Sequence, residues 1–206
     1  MPATRLADGV DYWPQYFSRE RQEMLAAAVA AVLLEAPLFT PKMPRTGKPF
    51  SVRMTNCGPL GWVADKDGYR YQALHPDRGT PWPAIPADLL ALWRDVGAPA
   101  NPDACLVNHY QQGARMGLHQ DRDEGTFDAP VVSVSLGDTA VFRIGGMSRK
   151  SPTRSIKLQS GDVIVFGGPA RLIYHGIDRI MAGSSTVWPG GGRINLTLRR
   201  ATPIID

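Results

Sequence analysis

The sequence predicts a mainly β fold with flanking helices, an α+β chain built around a jelly-roll type double sheet. Three observations lead there. From Ala104 onward the apolar pattern switches from helical to alternating. The alternating runs are short and punctuated by Gly, Pro, Asp and Ser, and 21 Gly and 18 Pro in 206 residues supply turns at that density. Helical patterning is confined to two stretches before the switch, which places the helices outside the sheets.

Residues 1–17 read as loop, with Pro14 and several aromatics. Ser18 is an N-cap for a helix running to about Glu35, whose apolar stripe is Leu25, Val29, Val32, Leu33 and Ala36 and which Pro37 ends. Phe50 to Thr55 reads as a strand. Trp62-Val63 and Gly68-Tyr69-Arg70-Tyr71 read as a hairpin whose arms are separated by Asp65 to Gly68. After a Pro-rich connection from His75 to Pro86, a second helix spans about Ala87 to Val96, with Leu89, Leu90, Leu92 and Trp93 as its apolar residues and Gly97 as its stop. Strands are expected near 104–111, 117–121, 131–136, 139–144, 154–158, 162–166, 171–175 and 193–200.

The length suits one hydrophobic core, so a single domain over 1–206 is expected. The net charge of +4 is compatible with a nucleic-acid partner without pointing to one. Cys57 and Cys105 have no CxxC spacing and read as free thiols. The chain opens with no basic and apolar leader, and its most apolar run, Met24 to Leu34, is too short to span a bilayer. A soluble, cytoplasmic protein with no membrane partner and no obligate protein partner is expected.

The chemistry starts at His119-Gln120-Asp121. On an extended strand, residues two apart share a face, so the imidazole and carboxylate sit side by side. A third ligand must come from His75, His109 or His175, and His175 closes the apolar run from Arg171, just before Gly176. Two histidines and one carboxylate on one face of a metal leave the opposite positions open, as non-haem Fe(II) needs to activate O2. The same residues also suit a zinc hydrolase, or a surface His–Asp pair beside an unrelated strand-end histidine.

The last strand bears on that choice. Alternation puts Arg193, Asn195, Thr197 and Arg199 on one face and Ile194, Leu196 and Leu198 on the other. With the apolar face packed between sheets, the polar face lines either a cavity or solvent. Arg193 and Arg199 stand roughly 20 Å apart at about 3.3 Å per residue. Leaning towards each other, they would hold a short dicarboxylate with one guanidinium near each end. Asn108 and Tyr110 repeat the same-face spacing and offer donors to a keto acid's oxygens.

Asn108-x-Tyr110, His119-x-Asp121-x-Asp123-Glu124, Tyr174-His175-Gly176 and Arg193-x-Asn195-x-Thr197-x-Arg199, in this order, resemble the AlkB family of Fe(II)/2-oxoglutarate-dependent dioxygenases. Met54 to Gly58, Gly61-Trp62, Gly68 to Tyr71, Pro130 to Gly137, Gly161-Asp162-Val163 and Gly167-Gly168 look like its bacterial nucleotide-repair branch. The resemblance implies a double-stranded β-helix core at about 101–206, preceded by a helix and a nucleotide-recognition hairpin within about 1–100. It implies His119, Asp121 and His175 as iron ligands and Asn108, Tyr110, Arg193, Asn195 and Arg199 as the 2-oxoglutarate site. The implied reaction uses O2 to demethylate N-methylated bases such as N1-methyladenine and N3-methylcytosine, releasing formaldehyde, succinate and CO2. The implied partner is alkylated DNA, with RNA as a second candidate.

For the base itself, Trp62 and Tyr69, with Tyr71 on the same hairpin, are the candidate aromatic receptacle. Asp123, two residues beyond Asp121, would favour cationic methylated bases electrostatically, or would orient neighbouring groups instead. Arg149 and Lys150, in the loop from Gly145 to Pro152, are candidates for the substrate or its phosphates, with Lys42, Arg45 and Lys48 further out. Two alternatives stay open: the same scaffold acting on a protein or small molecule, and a silent β-barrel that only binds nucleic acid.

Overall fold

The computed structural model describes residues 2–204, and two antiparallel sheets dominate it. The larger has seven strands: β1 (Thr4–Ala7), β2 (Val10–Trp13), β3 (Arg53–Cys57), β6 (Ala104–Tyr110), β8 (Val131–Gly137), β11 (Val163–Phe166) and β13 (Arg193–Arg199), in the order β1-β2-β11-β8-β13-β6-β3. The smaller has β7 (Met116–His119), β9 (Thr139–Ile144), β10 (Arg154–Leu158) and β12 (His175–Met181), in the order β10-β9-β12-β7. A separate hairpin, β4 (Gly61–Asp65) and β5 (Gly68–Gln72), stands beside them. The expected double sheet is present, and strands on both sides of residue 101 share the larger one.

Two helices cover the outer face of the larger sheet. Helix α1 (Arg19–Glu35) starts at Ser18, whose hydroxyl accepts the Arg21 N–H at 3.4 Å, and buries Leu25, Val29 and Val32. Helix α2 (Ala87–Asp95) buries Leu89, Leu92 and Trp93 and ends before Gly97, which takes φ +71°. These residues pack on Val132, Val134, Leu136, Ile194, Leu196 and Leu198. At about 1.5–3 kcal/mol per fully buried side chain, this contact fixes which face of β8 and β13 is outermost. The apolar face of β13 therefore meets the helices and not the opposite sheet. Its polar face is turned into the space between the sheets, where Leu106, Tyr110, Phe142, Ile144, Phe166 and Ile177 form a second core.

Three local expectations change. Residues 1–17 are not all loop: β1 and β2 form a hairpin, and β2 pairs with β11 to extend the larger sheet. β1 is mostly exposed and β2 mostly half-buried, so these four-residue strands carry little alternation to read. The strand expected at Phe50–Thr55 begins later, at Arg53. The strand expected at 171–175 is a turn: Gly168–Ala170 winds as 3-10 helix, Tyr174 closes onto Gly145 and Gly146, and the strand begins at His175. Among the described residues, no helix is long and apolar enough to cross a membrane.

Candidate metal and co-substrate site

Strand β12 pairs with β7 so that His175 lies directly opposite His119. The following residue makes that approach possible. A Cβ on Gly176 would lie 2.5 Å from the Met116 carbonyl oxygen, so only glycine lets the two backbones come this close. The imidazole centroids are 4.6 Å apart. Strand β7 ends at His119, so Asp121 reaches the site from the loop beyond it and not by strand alternation. Asp121 Oδ1 lies 3.6 Å from His119 Nε2, and Asp121 Oδ2 lies 3.7 Å from His175 Nε2.

The tautomers suit metal binding. His119 Nδ1 donates to the Gly117 carbonyl at 2.9 Å and His175 Nδ1 to the Ile173 carbonyl at 3.1 Å, because a carbonyl oxygen can only accept. With Nδ1 as the donor, Nε2 is the nitrogen each ring turns towards the site. Burial, reinforced by His119, pushes His175 down to about 4 and keeps it neutral at physiological pH. Burial alone would raise the Asp121 carboxyl, but Arg199 and the two histidines outweigh it and hold it well below the usual carboxylate range. Donor atoms of His119, Asp121 and His175 all lie within 4.8 Å of one another. Two imidazole nitrogens and an ionised carboxylate are a donor set that fits Fe(II). Phe166 stacks on His175 at 5.0 Å and 18°, closing the buried side of the ring.

The donors open into a cavity of about 720 Å3, within the range of about 300–1,000 Å3 usual for small-molecule sites. Asn108, Tyr110, Arg193, Asn195 and Arg199 line it, as do Trp62, Tyr69, Asp123 and Arg149. The two arginines have unlike surroundings. Arg193 is fully buried among neutral acceptors: Nη2 donates to Ser135 Oγ at 2.8 Å, and Nη1 lies 3.3 and 3.5 Å from the Leu158 and Asp138 carbonyls. Its Nε has no partner, and among the described residues no carboxylate pairs with it. Burial pushes its pKa down to about 10. A buried cation without a counter-ion is costly, so this pocket is built for an anion. Arg199 is already balanced, with Nη2 2.8 Å from Asp121 and Nε 3.3 Å from Glu124. The two ends of the expected clamp therefore differ in charge balance: Arg199 brings its own carboxylates and Arg193 does not, while each leaves its Nε without a hydrogen bond.

Other expected residues also shift in place. Asn195 is fully engaged, donating to Ser133 Oγ and the Val134 carbonyl and accepting from Asn108 and Thr197. Trp62 and Tyr71 are cross-strand partners, which puts Trp62, Tyr69 and Tyr71 on one face of the hairpin. Trp62 and Tyr69 stack at 5.6 Å and 16°. Tyr71 does not line the cavity; its hydroxyl donates to Glu124 at 2.7 Å. Asp123 is exposed and accepts the Trp62 indole N–H at 2.8 Å, so that bond, not strand spacing, sets its position. The Arg149 guanidinium lies over the Tyr174 ring at 5.1 Å. Lys42, Arg45 and Lys48 are exposed.

Sequence reasoning passed over Ser133 and Ser135, which hold Asn195 and Arg193. Two serines at alternate positions of the otherwise apolar run Val131–Leu136 are the signal that marks them. It also passed over Arg171, whose partners become adjacent only in the fold.

The model of the 2OG-Fe(II) oxygenase superfamily matches residues 9–199. The Alpha-ketoglutarate-dependent dioxygenase AlkB homolog of Caulobacter vibrioides is 58% identical over 194 residues, covering 94% of this chain and 88% of that protein. The DNA N(6)-methyladenine demethylase ALKBH1D of Arabidopsis thaliana is 40% identical over 109 residues, covering 48% of this chain and 25% of that protein. The solved structure of OsALKBH1 superposes with a TM-score of 0.82 at 30% identity, covering 95% of this chain and 100% of that one.

Proposed function

The chain belongs to the AlkB family within the 2OG-Fe(II) oxygenase superfamily and is an Fe(II)/2-oxoglutarate-dependent dioxygenase; from this premise we propose the site roles and the substrate that follow. Its reaction is the oxidative demethylation of alkylated nucleic acid. The proposed substrates are N-methylated bases such as N1-methyladenine and N3-methylcytosine in DNA, with RNA as a second candidate. The single observation that carries the co-substrate assignment is Arg193, a buried guanidinium that lacks only an anion.

His119, Asp121 and His175 would hold the iron, which when bound supplies the activation of O2 and the oxidative decarboxylation of 2-oxoglutarate. Arg193 receives the distal carboxylate of 2-oxoglutarate. The Asn108 amide and the Tyr110 hydroxyl donate to its keto-acid end. Asn195, held on Ser133, fixes the Asn108 amide. Burial raises the Tyr110 hydroxyl above its ordinary pKa, so it stays a donor at physiological pH. Arg199 keeps Asp121 ionised and oriented.

The cavity volume leaves room for a base beside the co-substrate, and the stacked Trp62–Tyr69 pair offers that base a flat apolar surface. Asp123, held by Trp62, brings a negative charge to the same mouth, where it favours a cationic methylated base over a neutral one. Arg149 and the exposed Lys42, Arg45 and Lys48 suit phosphate contacts. The whole chain serves this one site as a single domain. Two free buried thiols, Cys57 and Cys105, fit a reducing compartment, and the protein acts in the cytoplasm.

Turnover of 2-oxoglutarate measured with oligonucleotides carrying one methylated base, their unmethylated counterparts, and methylated peptides tests this reading. Stimulation by the methylated oligonucleotide alone is expected. Stimulation by peptide alone would overturn the substrate assignment and leave the cofactor assignment standing.

A further inference from the structure

Glu124 is a buried carboxylate beside the metal donors for which the reaction above names no task. Its side chain is 1% exposed. It gathers partners from three separate parts of the chain: the Tyr71 hydroxyl on β5 at 2.7 Å, Arg199 Nε on β13 at 3.3 Å, and Arg171 Nη2 in the turn before β12 at 3.4 Å. Arg171 is itself buried, and its other nitrogens donate to the Asp121 carbonyl at 2.7 Å and the Ala129 carbonyl at 3.0 Å. Arg199 Nη2 lies 2.8 Å from Asp121 Oδ2. Glu124 thus lies at ion-pair distance from both arginines that touch Asp121, one at its backbone carbonyl and one at its carboxylate, although neither Glu124 Oε2 nor Arg199 Nε makes a hydrogen bond.

Asp121 and Glu124 against Arg171 and Arg199 make a buried quartet of balanced charge. An apolar cluster of the same volume would support the fold as well or better, so folding energy does not account for four buried charges at this place. Removing the Glu124 charge leaves two guanidinium groups facing one carboxylate where a dication must bind. Arg199 would then compete harder with the metal for Asp121.

We propose that Glu124 is a positioning residue of the metal centre: through Arg199 and Arg171 it holds Asp121 with Oδ2 on Arg199 and Oδ1 left for the metal, and through Tyr71 it ties that carboxylate to the β4–β5 hairpin. This rests on the reading of His119, Asp121 and His175 as the metal ligands.

The test is titration of the metal-free protein with Mn(II) or Co(II), without co-substrate, followed by calorimetry. Glu124→Gln keeps the side-chain shape and the acceptor for Tyr71. Partners that orient metal ligands are worth about 10- to 100-fold in metal affinity, and the dissociation constant of Glu124→Gln is expected to rise by that factor while its circular dichroism matches the parent. A folded Glu124→Gln that binds within about twofold of the parent, against the same expectation, overturns the proposal. If that variant does not fold, Arg171→Lys is read by the same criteria, since lysine keeps the charge but cannot span Asp121 and Glu124 together. His119→Ala separates the two readings. A parent that binds no metal, or a His119→Ala that binds as tightly as the parent, defeats the ligand assignment. Loss in His119→Ala with parent-like binding in Glu124→Gln, or in its Arg171→Lys replacement, defeats the role of Glu124 alone.

Discussion

Replacing Arg193 by Met should have opposite consequences for ligand binding and for stability. Arg193 is fully buried, has no anionic partner among the described residues and leaves Nε unpaired. Deleting one side of a buried, hydrogen-bonded charge pair costs about 2–5 kcal/mol, so 2-oxoglutarate affinity should fall by about 30- to 4,000-fold. The ligand-free fold should barely notice. The bonds to Ser135, Leu158 and Asp138 are lost at about 1–3 kcal/mol, offset by relief of the several kcal/mol charged against an unpaired buried ion. Arg199→Met is the contrast, because it strands Asp121 and Glu124 and should cost about 3–5 kcal/mol of ligand-free stability. Calorimetric titration of 2-oxoglutarate under anaerobic conditions with Mn(II), paired with urea unfolding in chelator, measures both quantities. Arg193→Met binding 2-oxoglutarate like the parent, or losing as much ligand-free stability as Arg199→Met, would refute the reasoning.

Acid should destabilise the metal-free protein. The folded His175 pKa of about 4 lies below the ordinary 6.5, so the unfolded chain binds a proton that the folded chain refuses. Stability is then full above the unfolded value and falls by roughly 3 kcal/mol as pH drops towards 4, in urea unfolding at stepped pH. Replacing His175 with Asn should flatten that slope. Gly176→Ala would push β12 off β7 through the contact with the Met116 carbonyl, costing about 1–3 kcal/mol in unfolding and weakening metal binding in calorimetry. Asp123→Asn keeps an acceptor for the Trp62 indole but removes the charge, so it should retain turnover while losing preference for cationic over neutral methylated bases in competition assays. Trp62→Ala should weaken binding of methylated oligonucleotides by about 1–3 kcal/mol in fluorescence anisotropy, the usual contribution of one base stacked on an aromatic ring.

Sequence signals of different kinds carried different parts of the structure. Ser18, Pro37 and Gly97 mark the helix ends because caps and stops are local chemistry. Alternation located Arg193 and Arg199 on one face of β13, since a strand has only two faces. It did not tell that Arg199 is neutralised and Arg193 is not, because Asp121, Glu124 and Ser135 reach them from other strands and loops. His119 and Asp121 lie side by side as their spacing suggests, but for another reason: the strand stops at His119 and the loop beyond brings Asp121 back. Tyr71 shares a face with Trp62 and Tyr69, yet depth decides its role: its hydroxyl sits under the cavity on Glu124. β1 and β2 left almost no trace because four residues are too few to impose a pattern, and of the eight only Val10 is buried.

The most direct test of the account is product stoichiometry. Purified protein, Fe(II), ascorbate, 2-oxoglutarate and an oligonucleotide with a single N1-methyladenine should yield one formaldehyde and one succinate per restored adenine, with no turnover in His119→Ala. Restoration that proceeds without O2, or with zinc in place of iron, would contradict it.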